Sequence, residues 1–391
     1  LHKTSFSLAG DKAMTDELKV GLIGLGYIGK LHATAYRNIP LCFTEPQCTA
    51  NLTSVLRSQI KTEHRLMDSL GIEMRTTDPD EFFSQQHDIV DVCTPNVLHE
   101  EQTLAALQKG SHVYCEKPLA MNLEEARLMQ HAAEEAGVLT HVAFVLRYVP
   151  AIRQMKALLE AGALGEILNF RAHMFHSSYL DPDRPMSWRL RNKDSGGGAF
   201  ADLGAHLIDL THYFLGNVAQ VSAQMRTFIQ ERPTAKGSSA REKVDVDDWT
   251  HCQLILESGI PGHIEVTRMA AGAAEETGFE IYGSAGALAF HISHPHAVRY
   301  FDLKQGRWLD GAIDVPTPEG ERPINTLWPS GKYSQGLMSD AHLASIYDFM
   351  LLIQEGKPSV LDFQAGLAVQ EVLEAAYRSA EQGSRVIQLP L

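Results

Sequence analysis

The stretch Gly24-Leu25-Gly26-Tyr27-Ile28-Gly29 constrains this chain more than any other, because it follows a β-type run over residues 18–23 and leads straight into a helical pattern over residues 30–37. Strand, glycine turn and helix in that order open a doubly wound parallel sheet. The first glycine permits a tight turn, the second lets the backbone approach a ligand, and the third lets helix and strand pack closely. Unpaired N–H groups at the helix start, with their partial positive charge, make a seat for a pyrophosphate. Gly24, Gly26, Tyr27, Ile28 and Gly29 are therefore the expected dinucleotide-binding turn.

The pattern that follows supports the same architecture. Strand-like runs are expected at residues 50–56, 88–93, 112–115 and 139–145, with helices at 97–109 and 123–136 closed by Gly110 and Gly137. Apolar strands alternating with helices predict a parallel sheet buried on both faces. After about residue 150 the order changes. A helix over 151–161 precedes strands at 166–175, 218–228, 248–257, 260–268, 278–282 and 287–292, and helices over 341–355 and 363–382 end the chain. Strands without intervening helices predict an antiparallel sheet. The chain is thus read as α/β, with a dinucleotide-binding domain over residues 17–146 and a substrate-binding and oligomerisation domain over residues 147–391. A chain of 391 residues suits two cores. The polar stretch 231–242 is expected to be a mobile loop, and residues 39–47 a long connection before the second strand.

In such folds an acid at the end of the second strand grips the 2′-hydroxyl of NAD. Here Leu56-Arg57-Ser58 stands at that point. Arg57 is either a partner for a 2′-phosphate, favouring NADP, or a solvated arginine, so the cofactor is NAD or NADP.

Two further segments carry chemistry. Glu116-Lys117-Pro118 ends a predicted parallel strand, the edge at which such sheets bind ligands, and a lysine there can stabilise negative charge developing on a reacting oxygen. A cis Lys117–Pro118 bond fits the position. The run Gly196-Gly197-Gly198 leads into Asp202 and His206, four residues apart on one face of a helix expected to reach Leu215. His206 is a candidate general base, and Asp202 a candidate to bind substrate or orient the histidine. Asp202 as a plain helix cap, or Asp202, His206, Asp209 and His212 as metal ligands, are the alternatives. No metal is assigned, and His173, His176, His291, His294 and His296 read as strand or surface residues.

Composition excludes several partners. Asp and Glu total 48 against 34 Lys and Arg, a net charge of -14 that repels nucleic acid and anionic membrane surfaces. No apolar run is long enough to span a bilayer. Five cysteines without a C-x-x-C pair fit a reducing, cytoplasmic compartment. Residues 1–16 lack the layout of a secretion signal, and Met14 is the expected natural start.

The glycine turn, Glu116-Lys117-Pro118 and the Asp202/His206 pair, in this order and spacing, resemble the glucose-fructose oxidoreductase / inositol dehydrogenase / rhizopine catabolism (Gfo/Idh/MocA) family from about Lys19 to the C-terminus. The resemblance implies an N-terminal Rossmann domain and a C-terminal α/β domain whose large open antiparallel sheet forms a homodimer or homotetramer contact. It implies catalytic roles for Lys117, Asp202 and His206. It places Thr94, Pro95, Asn96 and His99 beside the nicotinamide and Glu116 on the cofactor side. The segments AFVLRYVP (143–150), DPDRPMSWR (181–189), VDVDD (244–248) and VTR (266–268) look like the anhydrosugar-oxidising branch, which puts Arg147, Tyr148, Trp188 and Arg189 near substrate or cofactor. Aromatic faces and arginines suit a sugar. Val145-Leu146 departs from the Asn-Tyr or Asn-Arg of many relatives, which removes a polar contact. The implied activity is hydride transfer between NAD(P) and a ring carbon of a sugar, anhydrosugar or inositol-like polyol. The rivals are a redox-neutral NAD-dependent glycosidase or epimerase, and a non-catalytic sugar or nicotinamide sensor.

Overall fold

A computed structural model describes residues 17–59, 63–311 and 315–391. Met14 lies outside the described residues. The first sheet is built from β1 (Glu17–Ile23), β2 (Thr49–Leu56), β3 (Met74–Thr76), β4 (Ile89–Val92), β5 (His112–Cys115) and β6 (Thr140–Val142). All six are parallel, in the order β3-β2-β1-β4-β5-β6. The order reverses between β1 and β4, and the crevice at that switch point is where such sheets take ligands. The helices among these strands are α1 (Tyr27–Cys42), α2 (His64–Ser69), α3 (Pro79–Phe83), α4 (His99–Gln108) and α5 (Leu123–Ala136).

Local chemistry explains the boundaries. Every residue of β4 is buried, as a central parallel strand requires. Helix α5 starts where the Asn122 side chain accepts from the Glu125 amide at 3.0 Å, while Glu125 accepts from the Met121 amide at 3.0 Å. It stops at Gly137, whose φ of 63° is left-handed. The connection expected over 39–47 is shorter than the sequence suggests, because α1 runs through Pro40 to Cys42.

The second unit opens with α6 (Pro150–Glu160), β7 (Ile167–Phe175), α7 (Asn192–Ser195), α8 (Ala205–Leu215) and β8 (Val218–Arg226). It continues with β9 (Glu231–Pro233), β10 (Arg241–Lys243), β11 (Trp249–Leu256), β12 (Pro261–Thr267), β13 (Glu276–Gly283) and β14 (Gly286–His291). Strands β15 (Val298–Asp302) and β16 (Arg307–Gly311), helices α9 (Leu337–Glu355) and α10 (Phe363–Glu381), and β17 (Ile387–Gln388) complete it. The nine-stranded sheet runs β16-β15-β14-β13-β7-β12-β11-β8-β17. It is mixed rather than purely antiparallel: β7 enters between β12 and β13 and pairs parallel with β12.

The segment 231–242, expected to be a mobile loop, instead contributes both strands of the β9/β10 hairpin. Its polar composition concealed an anchor: Arg232 is fully buried and donates to the carbonyls of Tyr179 and Asp181, each at 2.6 Å. Helices α9 and α10 return to the first sheet, α9 against α1 and α10 against α5, so C-terminal residues reach the cofactor crevice.

Candidate active site

One cavity of about 1080 Å³ runs from the glycine turn to the Asp202/His206 segment. At its first end Gly24 has φ 92°, and a Cβ there would meet the Cys93 carbonyl oxygen at 2.8 Å. A Cβ on Gly29 would stand 2.0 Å from the Gly24 carbonyl oxygen, so only glycine allows this helix to sit on this strand. Gly24, Gly26, Tyr27 and Ile28 line the cavity. Helix α1 has no side-chain cap and no acid in its first turn, which leaves its positive end open to an anion. That uncapped end opens on the cavity and fits the pyrophosphate of NAD.

Arg57 and Ser58 line the adenosine end. Arg57 lies 3.0 Å from Glu63, which also pairs with Lys30. Thr94, Pro95 and Asn96 border the crevice beyond the end of β4. The Asn96 side chain donates to the Ser195 carbonyl at 2.8 Å and so links the first unit to the glycine loop of the second. His99 does not reach the cavity. Its ring is buried with the carbonyls of Pro118 and Thr94 each 3.1 Å from a ring nitrogen, and it braces those two loops.

The reacting end is assembled from three distant segments. The peptide Lys117–Pro118 is cis. The Lys117 ammonium donates to the Asp202 carboxylate and to the Asp202 carbonyl, each at 2.8 Å. Arg268, 2% exposed, donates to the other carboxylate oxygen of Asp202 at 2.9 Å. Burial opposes ionisation of Asp202, but the two cations outweigh it and hold the carboxyl well below the usual carboxylate range. Asp202 caps neither the turn that carries it nor α8, and its carboxylate pairs with Lys117 and Arg268. It orients Lys117.

His206 lines the same cavity and is 8% exposed. Its Nδ1 is sealed from solvent without a partner, leaving Nε2 to face the cavity. Burial, then the charge of Lys117, lowers its pKa to about 3, so the imidazole is neutral.

A wide i→i+5 turn over Phe200–Gly204 carries Asp202, and α8 begins only at Ala205, so the regular helix expected from Asp202 onward is interrupted. Such turns recur at functional sites. Asp247 holds this one in place. Its carboxylate accepts from the amides of Gly198 (2.9 Å) and Phe200 (2.8 Å) and from the hydroxyls of Thr250 (2.8 Å) and Tyr377 (2.9 Å). A Cβ on Gly198 would stand 2.1 Å from the Asp247 carbonyl oxygen, which explains that glycine.

Trp188 and Arg189 line the cavity, with the Arg189 guanidinium 4.3 Å above the Trp188 ring. Arg147 and Tyr148, expected beside substrate or cofactor, are turned away from it. Arg147 forms a forked pair with Asp209 at 2.6 and 2.9 Å, and the Tyr148 hydroxyl donates to Asp348 at 2.9 Å. That pairing also takes Asp209 out of any metal set with Asp202. His176, read as a strand or surface residue, lines the cavity instead, as do Tyr179, Arg184 and His342. Arg268 lies in the VTR segment that carried the resemblance but was given no role there, and His342 gave no local signal. Arg268 follows the last residue of β12 and His342 lies within an apolar helix, and the fold brings them to Asp202 and Glu116.

Similarity to known proteins extends over both units of the chain. Residues 18–144 match the model described as the oxidoreductase family, NAD-binding Rossmann fold. Residues 152–289 match the GFO/IDH/MocA C-terminal domain. Levoglucosan dehydrogenase of Pseudarthrobacter phenanthrenivorans is 30% identical over 93% of this chain and 97% of its own length. The chain belongs to the Gfo/Idh/MocA oxidoreductase family. Glucose-6-phosphate 3-dehydrogenase of Bacillus subtilis is 27% identical over 91% of this chain and 94% of the relative. The structure of levoglucosan dehydrogenase in complex with NADH and levoglucosan superposes with a TM-score of 0.86 at 31% identity, covering 96% of this chain and all of that one. Among the described residues, no helix is long and apolar enough to cross a membrane.

Proposed function

We propose that this protein is an NAD-dependent dehydrogenase that oxidises a ring CH–OH of a sugar, anhydrosugar or cyclic polyol to a ketone. The carrying observation is the convergence of Lys117, Asp202 and a neutral His206 on one cavity that also reaches the open end of α1. A bound nicotinamide supplies the acceptor for the hydride. The chain's own residues handle the proton and the oxygen. His206 Nε2 takes the hydroxyl proton as the C–H electron pair departs. The Lys117 ammonium, aimed by Asp202 and Arg268, donates to the same oxygen as its charge builds. Trp188, Tyr179 and the apolar wall of Val145 and Leu146 pack against ring C–H groups, and Arg189 donates to hydroxyls.

Thr94, Pro95, Asn96 and Glu116 border the nicotinamide in this reading. NAD is favoured over NADP, because Glu63 engages Arg57 and Lys30, the cations available to a 2′-phosphate. The nine-stranded sheet presents Arg171, His173, His251 and His263 on a partly exposed face, to which we assign the contact between copies. Five free cysteines fit a reducing, cytoplasmic setting.

The test is the absorbance of reduced nicotinamide, with NAD and NADP each offered levoglucosan, glucosides, glucose 6-phosphate and inositols. Signal with NAD and one ring class is expected. A protein that binds NADH yet oxidises none of these would overturn the proposal.

A further inference from the structure

Behind the cofactor end of the cavity lies a buried polar group that hydride transfer does not use. His32 of α1 is fully buried. Its Nδ1 lies 3.0 Å from both carboxylate oxygens of Asp91. Its Nε2 lies 3.2 Å from a Glu116 carboxylate oxygen and 3.1 Å from Nδ1 of His342, which α9 delivers from the far end of the chain. An imidazole with carboxylates at both nitrogens holds both protons and has no lone pair left. The distances are those of hydrogen bonds, from His32 to carboxylate oxygens on both sides and to the His342 ring nitrogen.

It follows that His32 donates and His342 Nδ1 accepts. Burial, then the charge on His32, keeps His342 neutral, so its one ring proton sits on Nε2. His342 is 2% exposed and lines the cavity beside Glu116, Lys117 and Met338, and its Nε2 has no partner among the described residues. A neutral N–H donor that opens on the cavity suits an uncharged oxygen, because it offers a hydrogen bond without a charge to balance.

We propose that His342 is a cofactor-binding residue, a donor of fixed tautomer that hydrogen-bonds an uncharged oxygen of the nicotinamide half of NAD, with His32 as its positioning residue. This rests on the reading of the cavity as an NAD site, but not on which sugar is oxidised or whether one is.

The test uses the full chain labelled with 15N-histidine, together with titrations of NADH and of ADP, which carries only the adenosine half and the phosphates. Nitrogen shifts should show His342 protonated on Nε2 and bare on Nδ1, and His32 protonated on both. His342→Phe should weaken NADH binding roughly tenfold, the size of one lost hydrogen bond, and leave ADP binding unchanged. His342→Gln, which keeps an N–H donor, should recover part of the loss. A proton on Nδ1 of His342 in the wild type overturns the inference, with no variant needed. So does NADH binding unchanged in His342→Phe, or NADH and ADP binding weakened together. Sugar oxidation is not read, so failure of the dehydrogenase reading would leave these results intact and distinguishable.

Discussion

Removing one oxygen atom outside the cavity should disable the site. The Tyr377 hydroxyl donates to Asp247 at 2.9 Å and accepts from the amides of Gly198 at 3.0 Å and Ala201 at 3.2 Å. In Tyr377→Phe, Gly198 keeps its bond to Asp247, but the buried Ala201 amide loses its partner and Asp247 loses a donor. A hydrogen bond to a charged group contributes about 1.5–3 kcal/mol and an unpaired buried amide costs about 1–3 kcal/mol. Less the burial of the hydroxyl itself, the loss of stability should be about 2–4 kcal/mol. The turn that loosens carries Asp202 and leads into His206, so kcat/KM should fall at least about tenfold, the effect of a small misplacement of catalytic groups. NADH affinity should hold, because Tyr377 touches no part of the glycine-turn end. Guanidinium unfolding, steady-state kinetics and an NADH titration read the three quantities. A double-mutant cycle with Asp247→Asn should show coupling of about 1 kcal/mol or more. Stability within about 0.5 kcal/mol of wild type, an ordinary surface effect, together with unchanged kcat/KM, would refute the role given to this anchor.

Three further outcomes follow from the same geometry. Lys117→Met should lower kcat by about 10²–10³ while NADH still binds, as loss of one oxyanion donor does; near-normal turnover would remove Lys117 from the mechanism. Glu63→Gln should release Arg57 and Lys30 and raise kcat/KM with NADP relative to NAD by up to about tenfold, and an unchanged ratio would show that Glu63 does not set the preference. Stability should peak near pH 6.5. Glu116 is held at about 2, against burial, by its hydrogen bond and attraction to His32, while burial holds His206 at about 3. Both contributions are therefore lost as pH falls, the first below the ordinary 4.5 and the second below the ordinary 6.5. His32, raised to about 10 by Asp91 and Glu116 against burial, contributes fully below 6.5 and loses its contribution as pH rises toward 10. Each group adds a slope of about 1.4 kcal/mol per pH unit in its window. Denaturant midpoints across pH check this, and His206→Asn should flatten the acid side by one such slope.

What the sequence showed, and what it hid, divides along the range of the interactions. The glycine turn is local: Gly24 and Gly29 are required by atoms of the turn itself and the adjacent strand end, so spacing alone revealed them. Lys117, Asp202 and His206 were legible because each lies in a distinctive local motif, and their convergence followed from family resemblance. Arg147 was placed near substrate or cofactor by the resemblance of its segment, whereas its charge is engaged by Asp209, sixty-two residues away, a partner no local pattern reports. The β9/β10 hairpin was concealed by polar composition, because its anchor is a buried arginine satisfied by carbonyls some fifty residues earlier. His342 lies in an ordinary helix pattern, and Arg268 stood in a resembling segment without a role; their contacts are with partners 310 and 66 residues distant. Periodicity cannot report such pairs.

On the proposed reading, a ring C–H hydride leaves a sugar within this cavity while His206 takes the hydroxyl proton. The most direct measurement offers ring-deuterated levoglucosan and NAD to the protein and weighs the reduced cofactor by mass spectrometry. Reduced cofactor should carry one deuterium from the sugar, formed by the wild type and not by His206→Asn. Reduced cofactor without deuterium, or equal labelling by the variant, would contradict it.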